Sequence, residues 1–157
     1  MLFTIEIEDI KKCYDWYKSG EYNTFFRHFP DHMNIEEFYT FISSRKCYSL
    51  EGKGLVTLSI DAKPRIASFA IIIDNDHQKS GLCLEGIVEL SRTIFNQGFL
   101  RLATIVSDTD NRSKELLSKG GFIEDGKSID SCFYDNKLHD EIRFSLTSDK
   151  FFEKYGG

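Results

Sequence analysis

Apolar and polar residues alternate through the opening LFTIEIE and predict a strand there. In DIKKCYDWYKSG the period changes: Ile10, Cys13, Tyr14 and Tyr17 recur at helical spacing, and Gly20 marks the stop. EYNTFFRHFPDHM follows neither period, is crowded with aromatics and reads as a loop. NIEEFYTFISSRK returns to helical spacing. Its Asn34 stands as N-cap with Glu37 three residues on, the reciprocal pattern of a capping box.

CYSLEGKGLVTLSIDAKPRIASFAIIID predicts three strands joined by turns at Glu51–Gly54 and Asp61–Pro64. The last ends in the unbroken run Phe69–Ile73, the pattern of a central strand buried on both faces. GLCLEGIVELSRTIFNQG then places Leu84, Ile87, Val88, Leu90, Ser91 and Ile94 mostly on one helical face, with Gly98 closing it. FLRLATIVSD predicts another buried strand and NRSKELLSKGG a short helix. FIEDGKSIDSCFYDNKLHDEIRFSLTSD predicts a hairpin turned near Asp135–Lys137. The order βααβββαβαββ, with a short closing helix KFFEKY, predicts one α/β domain with a mixed sheet over residues 1–157.

Composition narrows the classes. The 157 residues are 41% hydrophobic and 14% aromatic, enough for a packed core and against disorder. A formal charge of -5 gives no electrostatic footprint for nucleic acid, and no nucleic-acid partner is expected. The apolar runs fall short of the ~20 residues of a membrane span, and the N-terminus is charged by its fifth residue, unlike a secretory leader. Cys13, Cys47, Cys83 and Cys132 are widely spaced without a CxxC pair, as expected for reduced thiols in a cytoplasmic protein. His28 and His32 are four apart, but Pro30 interrupts the helix that would align them, so no metal site is expected. The amphipathic KFFEKYGG has a face for docking on the sheet or on a second subunit, which leaves a homodimer open.

Candidate chemistry lies in DNDHQKSGLCLEG, Asp74 to Gly86, between a buried strand and a helix. Backbone N–H groups and the positive end of a helix converge at such a junction and suit a phosphate. Gly81 would let backbone approach the ligand, with Lys79 and Ser80 adding a cation and a hydroxyl. The same glycine also serves an ordinary strand-to-helix turn.

The order of elements resembles the GNAT superfamily of N-acyltransferases over nearly the whole chain. That family's acyl-CoA signature, Q/R-x-x-G-x-G/A, is matched by Gln78-Lys79-Ser80-Gly81-Leu82-Cys83, with Cys83 where Gly or Ala is usual. Downstream, Ser113 and Leu116 fall on the N-x-x-S-x-x-L-x-x-x-G-F pattern of the Rim-type branch and Gly121 and Phe122 supply its G-F one position later, with Asp110 in the Asn column and Asn111 displaced by one. The final hairpin segment also resembles that branch.

The resemblance implies a mostly antiparallel sheet whose fourth and fifth strands splay apart around acetyl-CoA. It implies that the pantetheine arm pairs with the strand at Ile71–Ile73, while the pyrophosphate rests on the N–H groups of Lys79 to Cys83. Asn111 and Ser113 would face the pantetheine and the sulfur. The column of the proton-donating tyrosine holds Leu117, leaving Ser113, through water, to protonate the leaving thiolate. The column of a frequent strand glutamate holds Ser68. His77, whose unperturbed pKa is about 6.5, is a candidate base. In the family the loop between the first two helices lines the acceptor groove, here Phe25, Phe26, Arg27, His28 and Phe29; Tyr134, Asp135 and His139 are candidates on the opposite side. The implied activity is direct acetyl transfer to a primary amine: a protein N-terminus, a lysine, an amino sugar or a small amine. The departures at Ser68, Cys83, Asp110 and Leu117 leave open a GNAT-fold module that binds without catalysing.

Overall fold

A computed structural model describes residues 2–78 and 80–156, apart from the side chain of Asn23. Strand β1 (Leu2–Thr4) precedes helix α1 (Ile7–Ser19), the one-turn α2 (Asn23–Phe26) and α3 (Ile35–Ser43). Strands β2 (Lys46–Leu50), β3 (Gly54–Asp61) and β4 (Ile66–Ile73) follow, and a 3-10 turn (Asn75–His77) leads to α4 (Leu82–Asn96). The chain continues through β5 (Arg101–Ser107), α5 (Asn111–Lys119), the hairpin of β6 (Ile123–Tyr134) and β7 (Lys137–Thr147), and α6 (Ser148–Tyr155).

The strands form one sheet in the order β1-β2-β3-β4-β5-β7-β6. Every join is antiparallel except β4–β5, which is parallel and therefore needs the crossover that α4 supplies. Side chains alternate through the sheet and build two cores. On one face Phe69, Leu102, Phe144 and Leu146 pack with Leu90 and Ile94 of α4 and Phe151 of α6. On the other, Leu55 and Ile72 pack with Ile10, Cys13 and Trp16 of α1 and with Phe38 and Ile42 of α3.

Local signals account for most boundaries. Asn34 Oδ1 accepts the Glu37 N–H (2.8 Å) and Glu37 Oε1 accepts the Asn34 N–H (3.0 Å), the reciprocal cap that starts α3. The unpatterned EYNTFFRHFPDHM is not all loop. Residues 23–26 make one helical turn, fixed by rings rather than by period: Phe26 lies 4.8 Å from Phe25 and 5.0 Å from Phe29. The closing helix α6 docks on its own sheet, with Phe151 fully buried 5.4 Å from Phe95. Among the described residues no helix is long and apolar enough to cross a membrane, and all four cysteines are free.

Within the run Phe69–Ile73, Phe69, Ile72 and Ile73 are buried as expected, but Ala70 and Ile71 are only half-buried. They border a gap in the sheet.

Candidate active site

Strands β4 and β5 pair only at Ile66, Ala67 and Ser68, opposite Arg101, Leu102 and Ala103. Beyond Ser68 each strand keeps its other neighbour. Strand β4 stays in register with β3 up to Ile73, and β5 stays with β7 up to Ser107. The two therefore diverge, and at the fork the Thr104 hydroxyl takes up the Phe69 carbonyl (2.7 Å) that lacks a strand partner there. A cavity of about 440 Å³ fills the divergence, walled by Ser68–Ile71, by Ala103–Val106, and by Cys83, Ser113 and Leu117 from the helices. A second cavity of about 220 Å³ runs along Ile71–Ile73 to Gln78 and Arg112, and shares Ile71, Cys83, Asp110 and Ser113 with the first. The upper half of β4 thus offers a free strand edge along a continuous cleft.

At the mouth of this cleft the 3-10 turn and Gly81 aim helix α4. Gly81 caps α4 at φ +82°, a left-handed conformation that favours glycine. The first bond of α4 runs from the Glu85 N–H to the Gly81 carbonyl (3.1 Å), so the N–H groups before it have no acceptor within the helix. Ser80 Oγ donates to the His77 carbonyl (2.6 Å) and accepts from the Leu82 N–H (3.3 Å), which fixes the turn. The Gln78 side-chain amide donates to the Ile73 carbonyl (3.2 Å) and to Asn75 Oδ1 (2.8 Å), and accepts from Arg112 (2.8 Å). A Cβ placed on Gly81 would meet nothing within 4 Å, so the space over the loop is open. The Ser80 N–H is taken by the His77 carbonyl (3.2 Å), which leaves the Cys83 and Leu84 N–H groups of the first turn without a partner among the described residues; these, the helix N-terminus and the adjacent guanidinium fit a pyrophosphate.

Most residues expected at the site gather here. Ile71, Ile73, Gln78, Cys83 and Ser113 line the cleft; Ser80, Gly81 and Leu82 line neither cavity but form the turn that joins Gln78 to Cys83, with the Leu82 side chain in the core. Lys79 lies outside the described residues. Asn111 opens α5 but is exposed and lines neither cavity, because the cap position is taken by Asp110. Asp110 accepts both the backbone N–H (3.1 Å) and the hydroxyl (2.7 Å) of Ser113, so the Ser113 proton is directed at a carboxylate. His77 is half-buried, lines neither cavity, and its Nδ1 is buried with no partner among the described residues. Burial pushes the Cys83 thiol up to about 11, with Arg112 pulling slightly down and Asp110 up. It is a neutral thiol near pH 7.

On the opposite face the turn after α2 leans over the fork. Phe25, Arg27, His28 and Phe29 line the cleft, whereas Phe26 packs into the core under α1 and α3. Arg27 is tied down by Glu141 of β7 (2.7 Å), by the Ile105 carbonyl (2.8 Å) and by the Thr24 carbonyl. Glu141 also meets His28 Nε2 (2.6 Å) and accepts from Ser131 (2.8 Å). Burial raises the Glu141 carboxyl, but these hydrogen bonds and the Arg27 charge outweigh it and hold the group below its usual range. Tyr134 and His139 line neither cavity. Their rings stack at 3.8 Å, and the Tyr134 hydroxyl bonds Ser107 (2.6 Å) and Thr109 (2.7 Å), which ties the hairpin to the end of β5.

Sequence reading passes over Glu141, Arg112, Thr104 and the arginines of β5 and β7. Arg112 falls inside a matched motif as an unassigned position. Glu141 alternates with buried Ile142 and so reads as a solvated strand residue; the distant Arg27–His28 turn, with Ser131 of β6, covers it.

No protein family's sequence profile matches the chain, and no curated protein matches it in sequence. Solved structures do match in fold. The spermidine N-acetyltransferase from Vibrio cholerae in complex with CoA and spermine superposes with a TM-score of 0.86 at 19% identity, covering 97% of both chains. An N-acetyltransferase from Staphylococcus aureus Mu50 gives 0.79 at 14% identity, over 94% of this chain and 98% of that one. The chain has the GNAT fold.

Proposed function

We propose that the chain is an acetyl-CoA-dependent N-acetyltransferase that transfers the acetyl group directly to a primary amine. The observation that carries this reading is the divergence of β4 from β5 past Ser68, with a cleft that runs to Gln78 and to Cys83 in the first turn of α4. The fold likeness to N-acetyltransferases, one of them with CoA bound, supports the same assignment. The Rim-type resemblance remains part of the proposal, on the motif around Ser113 and Phe122.

In this reading the loop from Gln78 to Cys83 and Arg112 hold the pyrophosphate, and the free edge at Ile71–Ile73 pairs with the pantetheine arm as an added strand would. Acetyl-CoA supplies a thioester, whose C–S bond breaks as the amine nitrogen forms its bond to the acetyl carbon. The chain's own contribution is positioning, with backbone N–H groups of β4 facing the carbonyl that gains negative charge. The amine loses a proton to water in the open cleft, and the departing thiolate gains one. Ser113 is the hydroxyl we assign to relay that proton: its O–H, which rests on Asp110, turns to the thiolate, and water resupplies the proton it gives up. His77, set back from both cavities, shapes the loop rather than touching the amine in this reading. A neutral Cys83 thiol is a poor nucleophile, so no acyl-cysteine step is required.

The test is calorimetric titration of acetyl-CoA into wild type and Gly81→Glu, followed by thiol release over a panel of amines. Wild-type binding with at least tenfold loss in Gly81→Glu supports the assignment, since a carboxylate in the open space over the loop opposes a pyrophosphate. Absence of wild-type binding refutes it. Binding without thiol release from any amine would return the chain to a non-catalytic module.

A further inference from the structure

We infer that the acceptor is an amine that also carries an anionic group, a carboxylate or a phosphate, held by an arginine-lined trough on the α1–α3 face of the sheet. This rests on the proposed transfer reaction and names the substrate class of the same site.

Register places the trough. Ser68 pairs with Ala103, and Arg143 pairs with Ile105, so Ser68, Arg101, Ala103, Ile105 and Arg143 share one sheet face. It is the face that carries Leu55 and Ile72 under α1 and α3, but those helices stop short of β5 and β7. Ile105 is 50% exposed and the Arg143 side chain 50% exposed as a result. The floor opens directly onto the fork at Ser68 and Ala103, where the thioester would lie. Phe25, Phe29 and the Arg27–His28 turn bound one side and Arg45 another.

The charges of this trough do not cancel. Arg101 and Arg143 share one carboxylate, Asp125 on β6: Arg101 reaches Oδ2 at 2.6 Å and Arg143 reaches Oδ1 at 2.9 Å, while Ser145 also bonds Oδ2 at 2.7 Å. Glu141 is occupied by Arg27 and His28. Arg45 rests on the Phe41 ring at 4.0 Å and donates to the Phe41 carbonyl at 3.3 Å. Among the described residues the carboxylate that lines the main cavity is Asp110, which sits on α5 and is engaged with Ser113. Four guanidiniums therefore face two carboxylates on the acceptor side, and the excess is positive.

A trough of this sign repels a polycation and stabilises an anion through forked N–H donors. The two strand arginines are also held in place: Asp125, itself fixed by Ser145, binds both, and Arg143 donates to the Asp125 carbonyl as well (3.3 Å), so their positions are set before a ligand arrives. Residues two apart on a strand lie about 7 Å apart, so an anion bound at Arg101 and Arg143 sits roughly that far from the fork. An acceptor that spans this distance between amine and anion fits, as an amino-sugar phosphate or a short peptide with a free C-terminus would.

The experiment uses matched probes with the full chain and acetyl-CoA. Thiol release is measured for glucosamine 6-phosphate against glucosamine, for triglycine against triglycinamide, and for spermidine. The same probes are titrated into the CoA-bound protein, so that acceptor binding is read independently of turnover. A preference of about tenfold or more for an anionic member, in kcat/KM or in affinity, is the expected result. The arm that shows it distinguishes phosphate from carboxylate. Arg143→Gln should reduce that preference by about tenfold, the worth of one hydrogen bond to a charged group. Arg45→Gln, at an exposed position outside the Asp125 network, should reduce it as well and guards against misfolding of the first variant. Equal or better use of the neutral members or of spermidine overturns the inference, as does equal or absent binding of all probes to the CoA-bound protein. Failure of acetyl-CoA itself to bind strikes the transferase assignment instead, and the probe titrations on the free protein still read the trough.

Discussion

At the scale of single residues, Cys83 and Arg27 show how environment decides a role. The Cys83 thiol faces both cavities, yet burial holds it near 11, so it is more than three pH units from ionisation under neutral conditions. Cys83→Ala is expected to keep acetyl-CoA affinity within about threefold and to keep thiol release, because it restores a small residue where the loop signature prefers one. Iodoacetamide at pH 7 should modify Cys83 no faster than an unactivated thiol, scored by mass spectrometry of the peptide. Arg27 is the opposite case, a charge fixed in place. It and Glu141 have side chains only 10% and 8% exposed. Arg27→Met keeps the stem but leaves Glu141 without its main counter-charge, and should cost about 3 kcal/mol in denaturant unfolding, the low end for breaking a buried pair. The sequence makes Gly81 and its loop legible because a tight turn into a helix is a local demand. It conceals Glu141 because Arg27 and His28, the charged and ring partners that cover it, are more than a hundred positions away.

At the scale of elements, the site depends on where the N-terminus of α4 is held, and Gly86 sets that. A Cβ at Gly86 would lie 2.8 Å from the Leu50 Cδ2 atom and 3.7 Å from that of Ile71 Cδ1. Leu50 is fully buried, so any shift of its side chain must displace its core neighbours. The missing side chain lets α4 close onto β2 and β4 and aims its first turn at the cleft. Gly86→Val should therefore push the helix outward and cost about 1–3 kcal/mol in stability, as overpacking does. It should also weaken acetyl-CoA binding at least tenfold, although residue 86 lies off the binding loop; calorimetry and chemical unfolding on one preparation check both. Elements with their own signals were readable: α3 from its capping box, α4 from its apolar stripe, the hairpin from its turn. The α2 turn was not, since it rests on contacts among Phe25, Phe26 and Phe29 rather than on a period. The fork between β4 and β5 has no composition of its own, and in the sequence it rested on family resemblance alone.

At the scale of the whole molecule, acid should act first through the β6–β7 hairpin. Asp125, Asp140 and Glu141 all lie on it, and all three carboxyls are held below their ordinary values. For Asp125, burial raises the value, but hydrogen bonds from Ser145, Arg101 and Arg143 outweigh it and bring the group to about 2. For Asp140 the backbone N–H of Asp130 is the leading cause, with Lys127 adding to it. A carboxyl whose folded value is depressed stabilises the fold fully above its unfolded value and loses that contribution as pH falls through the folded one. The stabilisation should therefore be intact at pH 6 and decline below about 4.5, with the Asp125 share disappearing between 3.8 and about 2. Protonation there also frees Arg101 and Arg143 to repel each other across the trough, so the hairpin loses its tie to β5 while the positive excess grows. Asp125→Asn should lower the melting temperature at pH 7 and flatten its fall between pH 4 and pH 2, since the variant has no proton to take up at that site. A wild-type slope retained in Asp125→Asn over that window would place the acid sensitivity elsewhere than in the arginine-clamped hairpin.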